Sequence, residues 1–167
     1  MTTSNELLIG LVSISDRASQ GVYEDQGIPA LQDWFTRALT TPWRMVTRLI
    51  PDEQPVIEAT LRALVDEERC HLVLTTGGTG VARRDVTPEA VREIADRELP
   101  GFGEVMRMKS LALTPNAILS RSLAACVGPT LVVCLPGKPA GAVDCLGFVA
   151  DAIPHTVKVL QEVPTSC

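Results

Sequence analysis

Aromatic residues are scarce in this chain, at 4 % of 167 residues. A core therefore has to be built from Leu, Val, Ile and Ala, which suits helices packed on a parallel sheet better than a β-sandwich. Basic residues are also in deficit. The formal net charge is −5 and the pI about 5.0, which argues against a nucleic-acid binder or an anionic-membrane binder, since both need a basic face. An anionic ligand would need a local basic cluster, and screening over roughly 8 Å at physiological salt lets such a cluster act independently of a distant acidic surface. The five cysteines (Cys70, Cys126, Cys134, Cys145, Cys167) are odd in number and show no C-x-x-C spacing. That argues against a disulfide framework or zinc site and leaves small buried hydrophobes in a reducing compartment. No run reaches the roughly 18 apolar residues of a membrane span. Met1 to Glu6 lacks the basic start of an export signal, so a cytoplasmic protein is expected.

What is present is alternation of strand and helix patterns without a linker or an internal repeat, so residues 1–167 read as a single domain. Leu7 to Ile14 is a continuous apolar run ending in Ser15-Asp16-Arg17, as in a strand buried on both faces. Pro29 opens a helix with Leu31, Trp34, Phe35, Ala38 and Leu39 at helical spacing. Trp43 to Ile50 alternates with arginines, like a strand near a sheet edge, and Val56, Ile57, Leu61, Leu64 and Val65 mark the next helix. Leu72 to Thr75 is a third strand. Thr87-Pro88 suggests a helix start with Thr87 as its capping hydroxyl, and Pro100 opens a helix whose apolar positions are Phe102, Val105, Met106, Met108 and Leu111. Leu123–Val127 and Leu131–Leu135 flank Gly128-Pro129, predicting two strands joined by a turn, one of them antiparallel. A last helical stripe starts at Pro139 and is interrupted by Pro154.

In an open α/β sheet, ligands bind beyond the carboxyl ends of the strands. Ser13 to Asp16, Asp52, Thr75 to Asp85, and Leu135-Pro136-Gly137-Lys138-Pro139 all follow strands, so four loops far apart in sequence are expected to line one cleft. Thr75-Thr76-Gly77-Gly78-Thr79-Gly80 supplies what a phosphate cradle needs: glycines that turn N–H groups toward an anion, and hydroxyls that add donors. The alternative is a tight turn that only redirects the chain. A Walker A loop and a G-x-G-x-x-G fingerprint are both absent. Arg83 and Arg84 suit phosphate neutralisation or a solvated pair partnered by Asp85. Asp52 suits either catalysis or capping of the helix after it. Two carboxylates near a triphosphate would hold magnesium. His71 and His155 read as structural or surface residues, and Met106 with Met108 as packing.

These residues resemble the molybdopterin adenylyltransferase family. The resemblance rests on Ser13-Ile14-Ser15-Asp16-Arg17 with Gly21-Val22-Tyr23-Glu24-Asp25, Thr75 to Gly80 with Arg84-Asp85-Val86-Thr87-Pro88, Pro100-Gly101-Phe102-Gly103-Glu104, and Leu135-Pro136-Gly137-Lys138-Pro139. It implies a three-layer α/β/α sandwich with a mostly parallel sheet, assembled as a homotrimer. The implied reaction transfers AMP from ATP to the terminal phosphate of molybdopterin, releases pyrophosphate, and passes product toward a molybdate-inserting enzyme. By the same resemblance Asp52 and Asp85 would be the catalytic carboxylates; the chemistry of paired carboxylates beside a triphosphate makes them the candidates to organise magnesium, with the choice of which one touches the metal left open. Ser13, Asp16, Thr76, Gly77, Gly78, Thr79, Gly80, Arg84, Ser120, Arg121, Pro136 and Gly137 would bind substrate or nucleotide. Lys138 departs from the pattern, standing where a small or neutral residue is more usual. A non-catalytic pterin-binding paralogue, and an unrelated α/β nucleotide enzyme or flavodoxin-like carrier, are the competing readings.

Overall fold

The apolar run at the start forms β1 (Leu7–Ile14), and every residue in it after Leu7 is buried. Its side chains alternate between two cores: Leu8, Val12 and Ile14 face one helical layer, Ile9 and Leu11 the other. The computed structural model describes residues 5–163; most of the stretch from Met1 to Glu6, and Cys167, lie outside the described residues. A short α1 (Asp16–Ser19) follows, capped by the Ser15 hydroxyl, which accepts from the Ala18 N–H. Next come α2 (Gly27–Ala38), β2 (Trp43–Ile50), α3 (Gln54–Asp66) and β3 (Leu72–Thr76). The chain continues through α4 (Thr87–Ile94), β4 (Arg97–Glu98), α5 (Pro100–Leu111), β5 (Ala124–Val127), β6 (Thr130–Leu135), α6 (Pro139–Val149) and α7 (Ile153–Leu160).

Among the described residues the strands form one six-stranded sheet in the order β2-β1-β3-β6-β5-β4. The pairs β2/β1, β1/β3 and β3/β6 are parallel, whereas β5 runs antiparallel to both β6 and β4. The arginine-bearing strand β2 lies at the edge, and the turn at Gly128-Pro129 reverses the chain between β5 and β6. Helices α3 and α4 cover one face through Ile57, Leu61, Leu64, Ala90, Val91 and Ile94. Helices α2, α5, α6 and α7 cover the other, with Leu31, Phe35, Met106, Ala142, Leu146 and Ile153 turned inward. The result is a three-layer α/β/α sandwich. The largest fully buried side chains are aliphatic apart from Met106, as the shortage of aromatics requires.

Leu61 is completely enclosed between α3 and the sheet. Leu61→Ala is expected to cost about 2–5 kcal/mol, through lost transfer energy and the cavity left behind. Urea unfolding measures this directly, and a loss under about 1 kcal/mol would mean that the layer collapses into the space.

The structure differs from expectation at several places. Residues Arg97–Glu98 add an edge strand, β4, between two helices where the sequence predicts none, and Asp16–Ser19 form the short helix α1 where a polar loop is expected after β1. Thr87 does not cap α4: the cap is Val86, and the buried Thr87 hydroxyl donates to the Gly77 carbonyl at 3.0 Å. Met106 packs as expected, but Met108 is 73 % exposed and Leu111 44 %, because α5 turns only one narrow face to the layer beneath it. Pro154 lies in the first turn of α7 rather than interrupting a helix, since its ring fits a position where no N–H bond is needed.

Candidate active site

The carboxyl ends of β1, β3 and β6 open into a cleft of about 910 Å³. Its wall includes Ser13, Asp52, Thr76 to Gly80, Asp85, Ser120, Pro136 and Gly137. No local rule makes these positions converge; the parallel topology brings them together by ending three neighbouring strands at one edge.

The glycine loop is built by close approach. Gly77 has φ +104° and Gly78 φ +68°. A Cβ on Gly77 would collide with the Ile14 carbonyl oxygen, and one on Gly78 with the Thr87 hydroxyl. The loop is tied to the β6 end by the Gly77 N–H donating to Leu135 O at 3.2 Å and by the Thr76 hydroxyl donating to Pro136 O at 2.7 Å. The threonine hydroxyls at the head of the loop thus face the protein: Thr76 is bonded inward and Thr75 is buried, with its hydroxyl beside the Cys134 thiol. The N–H groups of Gly78, Thr79 and Gly80 have no partner among the described residues. Three unpaired amides in consecutive residues of a glycine turn make an anion-binding concavity.

Both aspartates flank this turn. A Cβ on Gly78 would stand 3.1 Å from Asp52 Oδ1, and one on Gly80 2.8 Å from Asp85 Oδ2. Asp52 does not cap α3; its Oδ2 accepts from the Asp16 N–H at 2.9 Å, and the Asp52 N–H donates to Asp16 Oδ1 at 3.0 Å. Asp16 is gripped by Arg84, whose Nε and Nη2 reach its carboxylate at 2.5 and 2.9 Å. This fork holds the Asp16 carboxyl below its ordinary range. Arg84 is therefore paired with Asp16 rather than Asp85. Asp85 accepts from the Ala82 N–H at 2.9 Å, within its own turn.

Burial raises the Asp52 carboxyl above its usual range, and the charges of Asp16 and Asp85 push it the same way against the Asp16 N–H bond. A divalent cation between the Asp52 and Asp85 side chains would relieve the repulsion at Asp52, so the donor set suits magnesium, which takes few protein oxygens and fills its shell with phosphate and water. No cluster of three or more metal-ligating side chains occurs among the described residues. Because the native state holds the Asp52 proton more tightly than the unfolded chain, stability falls as pH rises through the raised value, and at neutral pH the full cost is present. In the presence of chelator, Asp52→Asn is expected to melt above the native protein near neutral pH, with the difference shrinking on acidification. A melting series across the carboxylate range checks this, and a lower melting temperature for the variant near neutrality would show that the bonds to Asp16 outweigh burial.

Three expected site residues do not line the cleft: Asp16, Arg84 and Arg121. The cleft adds others that sequence spacing did not single out. Ser13 Oγ donates to Asp25 Oδ1 at 2.6 Å, and Asp25 Oδ2 accepts from the Ile28 N–H at the start of α2. Arg107, Ser110, Thr114 and Asn116 reach the wall from α5 and the turn after it. Lys138 lies on the wall too, exposed at the start of α6. Arg107 lies between Met106 and Met108 on α5, and helical spacing alone does not separate a wall residue there from a solvated one. His71 is structural, accepting the Leu8 N–H on Nδ1 at 2.9 Å.

Unpaired amides in a glycine turn and two convergent aspartates thus sit at the carboxyl edge of an open, mainly parallel sheet, the edge at which α/β proteins of this class bind their ligands. The family model described as "Probable molybdopterin binding domain" matches residues 1–155. The chain is 62 % identical over 148 residues to the molybdopterin adenylyltransferase of Escherichia coli K12, covering 89 % of this chain and 76 % of that one. It is 47 % identical over 152 residues to that of Helicobacter pylori J99, covering 91 % and 86 %. Among solved structures, the molybdopterin biosynthesis enzyme MoaB of Thermus thermophilus superimposes with a TM-score of 0.86 at 39 % identity, over 96 % of this chain and 99 % of the other. The chain belongs to the molybdopterin-binding domain family of molybdenum cofactor biosynthesis.

Proposed function

We propose that this chain is a molybdopterin adenylyltransferase, transferring AMP from ATP to the terminal phosphate of molybdopterin. The observation that carries the reading is the meeting of Asp52 and Asp85 on either side of Gly78 to Gly80, whose amides are free to receive a phosphate. In the reaction, a terminal phosphate oxygen of molybdopterin attacks the α-phosphorus of ATP. The new P–O bond forms as the bond to the oxygen bridging to the β-phosphate breaks, and the electron pair leaves with pyrophosphate. Attack of anion on anion calls for charge neutralisation and positioning rather than a covalent enzyme intermediate. When bound between Asp52 and Asp85, magnesium would supply that neutralisation. The loop amides orient the phosphate chain, and Pro136, Gly137 and Ser120 bound the space that substrate fills.

Cations are sparse on the wall, where Asp25, Asp52 and Asp85 outnumber Arg107 and Lys138. Binding of two anionic substrates to such a cleft is therefore expected to depend on magnesium. The family resemblance also leads us to propose a homotrimer that works in the cytoplasm and delivers product to a molybdate-inserting enzyme. Met108, Leu113, Ile118 and Leu119 are each at least half exposed around the end of α5, and such side chains are typical of surfaces that another subunit covers. No helix among the described residues is long and apolar enough to cross a membrane.

Incubation of the purified protein with molybdopterin, ATP and magnesium tests the activity, with pyrophosphate and adenylylated pterin followed together. Both products should appear in equal amounts and only with magnesium. Tight pterin binding without product or magnesium-dependent ATP binding would instead identify a non-catalytic paralogue. Light scattering of the same sample reads the subunit number.

A further inference from the structure

Segment Val81 to Arg84 is an exposed excursion between the glycine turn and Asp85. Both ends of its neck are held by one side chain from another part of the molecule. Arg121 Nε donates to the Gly80 carbonyl at 2.8 Å, and Nη2 donates to the Asp85 carbonyl at 2.5 Å. Nη1 forms an ion pair with Glu89 in the first turn of α4. The Arg121 main chain adds a fourth bond, its N–H donating to Thr79 O at 2.8 Å.

The segment that carries Arg121 is itself anchored. Arg107 Nη1 donates to Ser122 O at 2.8 Å, and Ser120 Oγ donates to Ser122 Oγ at 3.1 Å. Gly103 lets α5 approach closely enough for this, since a Cβ there would lie 2.6 Å from Ser122 O. A planar guanidinium can serve two carbonyls and a carboxylate at once, which an ammonium cannot do in the same geometry. Glu89 balances its charge. Burial would raise the Glu89 carboxyl, but the Arg121 bond, with help from its own backbone, outweighs this and holds it below its ordinary range.

We infer that Arg121 is a positioning residue: it closes the neck of the Gly80–Asp85 excursion and so sets where the Asp85 carboxylate stands, rather than contacting substrate. A residue that binds phosphate would present free donors to the cleft. Arg121 is off the cleft wall and lines instead a smaller pocket of about 260 Å³ beside it, and each of its three guanidinium nitrogens gives one N–H to the protein, so that three of its five donors hold the loop. The effect on turnover rests on the adenylyltransferase reading, but the effect on the loop does not.

Two measurements on the full chain test this, using Arg121→Lys and Glu89→Gln beside the native protein, at temperatures below each variant's melting point. The first is limited trypsinolysis at Arg83 and Arg84, which needs no substrate. Cleavage should quicken several-fold in Arg121→Lys and less in Glu89→Gln, which keeps both carbonyl bonds. The second is steady-state adenylyl transfer. For Arg121→Lys, kcat should fall on the order of 10-fold or more, because small displacements of a catalytic group are costly. KM for molybdopterin and ATP should stay within about 2-fold, the change expected when only transition-state positioning is lost. Unchanged trypsinolysis in both variants overturns the clasp, as does an Arg121→Lys enzyme with native kcat and a raised KM, the signature of a direct substrate contact. A native protein that shows no transfer, with cleavage still quickened in the variants, would sink the functional reading and leave the clasp standing.

Discussion

Asp85→Asn is expected to bind both substrates but to lose roughly 10²–10³ of turnover, the usual effect of removing one preorganised electrostatic stabiliser, or about 3–4 kcal/mol. The change is nearly isosteric. The amide carbonyl of the new side chain could still accept the Ala82 N–H that Asp85 Oδ2 now receives at 2.9 Å, and the carbonyl bonds from Arg121 involve main chain that the substitution leaves alone. The loop should therefore keep its shape while the site loses one negative charge. Single-turnover measurement of adenylyl transfer with saturating magnesium isolates the effect on the chemical step. A variant with native single-turnover kinetics would reduce Asp85 to a turn-forming residue. Asp52→Asn should lose activity comparably while gaining thermal stability in chelator, so the two aspartates can be told apart by stability even if their kinetics match. That divergence follows from burial: Asp52 is the carboxylate held partly out of water and pushed up by its acidic neighbours.

The second large effect is expected from Gly77→Ala. An L-residue at φ +104° is strained whatever its surroundings, and here the added methyl would also meet the Ile14 carbonyl. Strain of this kind costs on the order of 1–3 kcal/mol before the collision is counted. Relief would require moving the turn away from β1, breaking the Gly77 bond to Leu135 O and displacing the amides of Gly78 to Gly80. Activity should fall below detection, and the urea midpoint should drop markedly. Gly101, whose added Cβ would meet nothing within 4 Å, is the matching control: Gly101→Ala at the start of α5 should leave stability and activity close to native. If Gly77→Ala unfolded and turned over like the native chain, the close approach that builds the cradle would be wrong.

Much of the fold was legible because burial writes itself into local pattern. The run of Leu7 to Ile14 has the length and continuity of a strand covered on both sides, the 3.6-residue stripe of α3 is that of a helix facing a core, and Gly128-Pro129 between two apolar runs signals a chain reversal. The arginines of β2 marked a sheet edge for the same reason. Where pattern misled, a residue's environment was set by a distant element. Met108 and Leu111 satisfy helical spacing yet stand exposed, because the layer beneath α5 meets a narrower stripe than the sequence offers. Thr87 has the chemistry of a cap but spends its hydroxyl on Gly77, ten residues earlier.

The candidate site divides in the same way. That glycines, threonines, aspartates and arginines gather after strand ends is a one-dimensional fact, and parallel topology alone turns it into a cleft. Which of them face a ligand is not one-dimensional. Asp52 reads equally as a cap or a catalyst until Asp16, 36 residues earlier, is seen to hold its carboxylate. Arg84 neighbours Asp85 in sequence but binds Asp16, 68 residues away. Arg121 is marked as a substrate-binding residue by the family resemblance, whereas in the fold its side chain donates to Gly80, Asp85 and Glu89.

The sequence by itself determined the order of the longer strands and helices, the aliphatic core, the chain reversal before β6 and the residues that would crowd one edge of the sheet, since each follows from local periodicity and backbone preference. Only the tertiary structure decided the division of labour at that edge: loop amides left free at the cleft, the Thr75 and Thr76 hydroxyls turned inward, and Arg84 and Arg121 occupied with holding the loops. The reason is that a hydrogen-bonding group takes whichever partner the assembled fold places within about 3 Å, and no spacing along the chain encodes that distance.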